Sequence, residues 1–200
     1  MRAFWGMQKW VGLLLAAWIC TSFQRASDKI ALKNPSFEDT PGSSRVPRGW
    51  LTVGMGSTPD IMPGAWGVQA LPQDGSSFLA LVTREDGSCE DIAQQLTAPL
   101  KPNVCYKFDI YLAHTQRYVG YDLPVRVRVW GSDGPHKRQL LCSSSAITHA
   151  DWRRYTFQFV PNHAMKYIIL EAYYAPGVFR YYRGNVLLDN CSPIERCERA

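Results

Sequence analysis

Val125-Arg126-Val127-Arg128-Val129-Trp130 alternates aliphatic with charged or aromatic residues without a break, and a period of two is the side-chain spacing of a β-strand. The valines share one face; Arg126, Arg128 and Trp130 share the other. The same rhythm recurs on both sides of this stretch. Tyr106, Phe108, Ile110 and Leu112 oppose Lys107, Asp109 and Tyr111, while Tyr155, Phe157 and Phe159 oppose Arg154, Thr156 and Gln158. Each strand has a dry face and a wet face, the pattern of antiparallel sheets packed on one side. Further strands are predicted at 78–83, 90–96, 167–174 and 186–189, separated by turns such as Gln73-Asp74-Gly75, Lys101-Pro102-Asn103 and Ser132-Asp133-Gly134. With no amphipathic helix among them, these strands predict an all-β sandwich of two antiparallel sheets. Residues 40–73, rich in Pro and Gly, read as extended loops, and loops on a rigid sandwich are where binding usually resides.

Length and charge narrow the function classes. Two hundred residues, 46% hydrophobic and 20% charged, supply one ordinary core. The amino terminus reads as an export signal: Arg2 and Lys9 precede a short apolar run, Trp10–Ile19, which the polar Thr21-Ser22-Phe23-Gln24-Arg25 then ends. A membrane-spanning helix needs roughly 20 apolar residues, so no span is expected in the mature chain. Cleavage after Ser22 or Ala26 makes 1–26 a signal peptide. Acylation of Cys20 is the other reading, opposed by the bulk of Trp18 and Ile19 just before it. Loss of Arg2, Lys9 and Arg25 takes the formal charge from +5 to +2, too little for a nucleic-acid footprint. Export places the chain in an oxidising space with Cys89, Cys105, Cys142, Cys191 and Cys197, an odd set that leaves at least one thiol unpaired within the chain. A Cys191–Cys197 bridge across the Pro193 turn is expected, with Cys105 reduced and buried in its apolar strand; Cys89 and Cys142 stay open.

Asn34-Pro35-Ser36-Phe37-Glu38, then Pro47-Arg48-Gly49-Trp50, and a close on Asn185-Val186-Leu187-Leu188-Asp189-Asn190 resemble the opening and closing of galactose-binding-like jelly rolls, the sandwich of many carbohydrate-binding modules. Between them, Thr58-Pro59-Asp60, Pro63-Gly64-Ala65-Trp66-Gly67-Val68, Leu81-Val82-Thr83-Arg84-Glu85-Asp86-Gly87 and Ala98-Pro99-Leu100 resemble a group of exported Bacteroidota proteins carrying this module, although Ala93 stands where that group often shows glycine. The similarity covers about residues 30–193. It implies a jelly-roll domain over 27–193 with a short tail at 194–200, a place outside the cell or at the outer membrane and periplasm, and a carbohydrate or cell-envelope polymer as partner. It also implies a structural calcium ion held by Glu38 and Asp189, with Asn34 as a further ligand. Calcium takes six to eight oxygens, and a carboxylate inside the apolar Val186-Leu187-Leu188 strand needs a partner or a metal. Alternation offers another reading, with Asp189 turned to solvent opposite Leu188, and a Lys33 or Arg partner is a third.

Enzymatic templates fail at the level of motif. His114, His136, His149 and His163 sit in no Gly-x-Ser-x-Gly or His-Glu-x-x-His arrangement and read as exposed loop residues, while Glu85, Asp86, Glu90 and Asp91 read as a charged turn and strand start. A non-catalytic binding module is expected, with glycoside hydrolysis by paired carboxylates as the weaker alternative. Pyranose rings stack their CH faces on aromatic rings and offer hydroxyls to planar polar groups. Candidate ligand residues are accordingly Trp66, Arg84, Tyr118, Tyr121, Arg128 and Trp130, with Tyr111 and Tyr174 also assigned to wet strand faces. If these aromatics cluster, they form a site; if they scatter, a structural role in the envelope is the better reading. Oligomeric state and the glycan itself are not specified by the sequence.

Overall fold

The computed structural model describes residues 29–134 and 137–198; the signal segment and Cys20 lie outside them. Eleven strands form in order: β1 Lys29–Ile30, β2 Asp60–Met62, β3 Phe78–Thr83, β4 Asp91–Leu100, β5 Tyr106–Ala113, β6 Leu123–Ser132, β7 Arg138–Ser143, β8 Arg153–Phe159, β9 Met165–Tyr174, β10 Gly184–Asp189 and β11 Ile194–Arg196. One sheet runs β8-β5-β10-β3-β2, with β11 continuing beside β5 beyond the end of β10 and β1 pairing β11. The other runs β7-β6-β9-β4. Within each sheet the pairing is antiparallel. A short parallel contact of Gly184 and Asn185 with Leu123 and Pro124 joins the edges of the two sheets. Gly184 is needed there, because a Cβ would lie 2.5 Å from the Leu123 carbonyl oxygen and from Val125 Cγ1. This is a jelly-roll sandwich, and among the described residues no helix is long and apolar enough to cross a membrane.

The alternation read from the sequence sets the core. Val125, Val127 and Val129 are fully buried and face Phe108, Ile110 and Leu112 of the other sheet, each contributing about 1.5–3 kcal/mol by leaving water. β3 and β10 do not alternate, because both of their faces are dry. Leu79, Leu81, Val186 and Leu188 face the main core, whereas Phe78, Ala80, Val82 and Leu187 pack under the loops with Met62, Val68 and Tyr118. Their apolar runs are the sequence signature of a strand covered twice. The opening motif packs its own ends: the Phe37 ring lies tilted against Trp50 at 5.2 Å, and the Trp50 indole donates to the Asn34 carbonyl at 3.0 Å.

Three expectations are corrected. Cys105 is neither reduced nor a mere hydrophobe: it bridges Cys197, while Cys191 is buried and free. The reason is β11. Residues 194–196, expected as part of a loose tail, pair with β5 so that Arg196 lies opposite Tyr106 and Cys197 donates its N–H to the Cys105 carbonyl. Tyr174 faces inward beside Val125 and is 5% exposed, since the register with β6 places Tyr173, not Tyr174, on the outer face. His114 is buried at the end of β5 and contacts the Asn185 carbonyl through its ring.

Candidate functional site

The outer face of the β7-β6-β9-β4 sheet gathers the groups that the β6 alternation turned away from the core. Register sets Arg126 opposite Tyr173, Arg128 opposite Glu171, Trp130 opposite Ile169 and Ser132 opposite Tyr167. On the next strand, Asp91, Ala93 and Gln95 stand opposite Glu171, Ile169 and Tyr167. Glu171 organises the centre: its Oε2 accepts from Arg128 Nε and from Trp130 Nε1, both at 2.7 Å. The Arg128 guanidinium lies 3.2 Å from the Tyr173 ring centroid and 4.8 Å from that of Trp130. Arg138 of β7 approaches the same indole at 5.4 Å and pairs with Asp91 at 3.7 Å.

Loops wall this face. Leu51 pairs with Ala93 in a backbone bridge, and Val53 and Gly54 donate their N–H groups to Asp91 Oδ1 at 3.0 Å. The result is a 240 Å³ groove with an apolar floor of Ala93, Ile169 and Tyr167 between Leu51 and Val53 on one side and Ser132 and Gly134 on the other. Toward the opposite end of β6, Pro124 borders a second groove of 450 Å³ that includes Arg180 and Tyr181 of the β9–β10 loop. From Pro124 to Ser132 the strand spans about 26 Å.

Of the six ligand residues read from the sequence, Arg128 and Trp130 lie on this face, whereas Tyr118 and Tyr121 belong to the loop layer packed over β3 and β10 of the other sheet and Trp66 and Arg84 adjoin them there. Trp66 is half exposed in the 3₁₀ turn Ala65–Gly67, where its carbonyl accepts from Val119 N–H. Tyr118 is 2% exposed and its hydroxyl donates to Asp60, so it serves the core rather than a ligand; Tyr121 packs on it at 5.5 Å. Arg84 is paired with Glu90 and donates to Thr58 Oγ1. Burial pushes the Glu90 carboxyl up to about 7, against the pull of Arg84 and of the Val82 N–H. The face residues that sequence reading missed are Tyr167, Glu171, Tyr173 and Arg138. Their signal lies in strand register, which a single sequence does not display.

Glu90 and Asp91 are buried and both are tied to the 52–59 loop, Glu90 to Thr58 and Asp91 to Val53 and Gly54, while Glu85 and Asp86 are exposed. Asn34, Glu38 and Asp189 meet the same Gln73–Ser77 loop or its neighbours. Asp189, fully buried, accepts from the N–H groups of Gln73, Asp74 and Asn190; Glu38 accepts from those of Ser76 and Ser77; Asn34 bonds the Glu38 backbone. A cation here would face N–H groups where it needs oxygens. Among the described residues no group of three or more His, Cys, Asp or Glu side chains is placed to hold a metal, and the residues as arranged do not fit calcium.

No known family profile and no curated protein matches the chain. Solved structures do. It is similar to the apo form of a cyclase from Fischerella sp., with a TM-score of 0.57 at 16% identity over 86% of this chain and 98% of that one. It is similar also to the K2 cleaved adhesin domain of Lys-gingipain (TM-score 0.52, 11% identity, 82% and 97% covered). A third likeness is to the CBM22-1 xylan-binding domain from Paenibacillus barcinonensis Xyn10C (TM-score 0.51, 15% identity, 87% and 98% covered). At these identities the likeness shows the fold, that of carbohydrate-binding modules and adhesin domains. A fold that also serves a cyclase leaves function to the site.

Proposed function

We propose that this protein is a non-catalytic binding module that holds a carbohydrate polymer along the outer face of the β7-β6-β9-β4 sheet. The observation that carries the reading is the pairing of two kinds of surface: an apolar-floored groove for pyranose CH faces, beside a row of Arg, Glu and Trp side chains fixed by one another and able to bond hydroxyls. Trp66, Tyr118 and Tyr121 take no part. Export is part of the proposal, supported by the apolar run Trp10–Ile19 and by a disulfide, which persists in oxidising compartments. Calorimetry or affinity electrophoresis against soluble polysaccharides tests it. Tyr167→Ala, which removes the ring lining the groove, should weaken binding about tenfold, the loss of roughly 1.4 kcal/mol of ring contact, with little change in melting temperature. Absence of binding across the panel refutes it.

One observation favours the structural alternative. In the β9–β10 loop Phe179 is fully exposed, with Val178 and Tyr181 also open to water, an apolar set suited to docking another envelope protein. Loss of an envelope complex in a Phe179→Ser variant, without any glycan binding by the wild type, would establish that role instead.

A further inference from the structure

On the outer face the charges do not cancel. Glu171 is consumed by Arg128 and Trp130, and Asp91 by Arg138 and the N–H groups of Val53 and Gly54. Arg126 has no acidic partner among the described residues. It lies over the Tyr173 ring at 5.3 Å, and its Nε is buried with no hydrogen-bond acceptor. A guanidinium N–H removed from water and left without an acceptor is costly; the side chain as a whole is only partly buried, and a shift that brings this N–H to an incoming oxygen relieves that cost.

The rings themselves bear cations. Trp130 has guanidinium carbons at 4.8 and 5.4 Å, and Tyr173 has them at 3.2 and 5.3 Å. Guanidinium groups over these rings reduce the aromatic surface a neutral sugar would stack on, and leave N–H edges as the groups presented to a ligand. Beyond Arg126 the row leads past Pro124 to Arg180, which is exposed in the adjoining groove; the one carboxylate lining that groove, Glu85, pairs with Arg183 at 3.4 Å rather than with Arg180. Planar guanidinium forks match the two oxygens of a carboxylate or sulfate, which neutral hydroxyls match less well.

We propose that the ligand of this face is an acidic polysaccharide, whose carboxylate or sulfate groups are taken by Arg126 and, in the Pro124 groove, by Arg180. This rests on the carbohydrate-binding reading and names the ligand class within it.

The test is calorimetry of the full chain with polygalacturonate, dextran sulfate, dextran and xylan. One of the two polyanions should bind at least about tenfold more tightly than either neutral polymer, and the preferred one identifies the group as carboxylate or sulfate. Its affinity should fall as salt is raised. Arg126→Ala should cost about tenfold toward the polyanion and leave neutral polymers unaffected, with Arg126→Lys between, since it keeps the charge but loses the fork. Arg154→Ala, an equal charge change on β8 of the other sheet, should have no effect. Equal losses in Arg126→Ala and Arg154→Ala would mark unspecific attraction and overturn the assignment. Equal binding of neutral and acidic polymers overturns it too, while leaving carbohydrate binding intact; failure to bind all four removes both.

Discussion

Removing the Cys105–Cys197 bridge should cost this protein about 4.6 kcal/mol. The half-cystines are 92 residues apart, and in the chain-entropy account a cross-link restricts the unfolded ensemble in proportion to the logarithm of the loop it closes. A Cys191–Cys197 bridge, closing six residues, would supply only about 2.2 kcal/mol by the same relation. The magnitude therefore separates the two pairings. Urea unfolding of the Cys105→Ser/Cys197→Ser double variant, compared with wild type purified without reductant, measures it. The double variant is preferred because it leaves no new thiol to exchange with buried Cys191. Its m-value should also rise, since an unfolded chain without the cross-link exposes more surface. Cys191→Ala keeps the bridge and should lose far less, about 1 kcal/mol for trimming one small buried side chain. The reasoning fails if the double variant loses no more than Cys191→Ala, or if alkylation of the non-reduced protein labels Cys197.

Three further outcomes follow from buried polar groups. Tyr118→Phe removes the hydroxyl that donates to Asp60 and leaves that 5% exposed carboxylate with the Ser44 N–H, so stability should fall by about 1–3 kcal/mol while polysaccharide affinity is unchanged; a loss of affinity would return Tyr118 to the ligand site. Because burial raises Glu90 from 4.5 to about 7, the folded state holds that proton more tightly than the unfolded one; its contribution is complete below pH 4.5 and is lost as pH climbs through about 7. Denaturation midpoints at pH 5 and pH 8 should show this decline, and Glu90→Gln should make it shallower; an unchanged slope contradicts the assignment. Melting in excess EDTA should leave the transition where it is, because Glu38 and Asp189 are already served by N–H donors; a drop that calcium reverses would restore the ion to this loop.

How far the sequence reached depended on whether a feature was local. The valine row of β6 declared both its own core face and the placement of Arg128 and Trp130 on the other, since alternation needs only neighbours in the chain. Tyr173 and Tyr174 could not be told apart that way: adjacent tyrosines fit either parity, and only pairing with β6 decides which one points out. Tyr118 was misjudged because a turn residue reads as exposed, whereas this turn folds over β3 and carries a small core beneath it. The disulfide was missed for the same reason on a larger scale. Nothing near Cys197 announces that Ile194–Arg196 will find β5, 92 residues before the bridge closes.

The double covering of β3 and β10 has a dynamic consequence. Water reaches the amides of β6 and β9 from one side, so small openings of the walled face can expose them, and the site can breathe without the protein coming apart. Phe78–Thr83 and Gly184–Asp189 are paired with each other and dry on both faces. Their amides should exchange with deuterium more slowly than those of β6 and β9, because exposing them requires the opposing sheet or the covering loops to part, and the exchange free energy of this strand pair should approach the global stability.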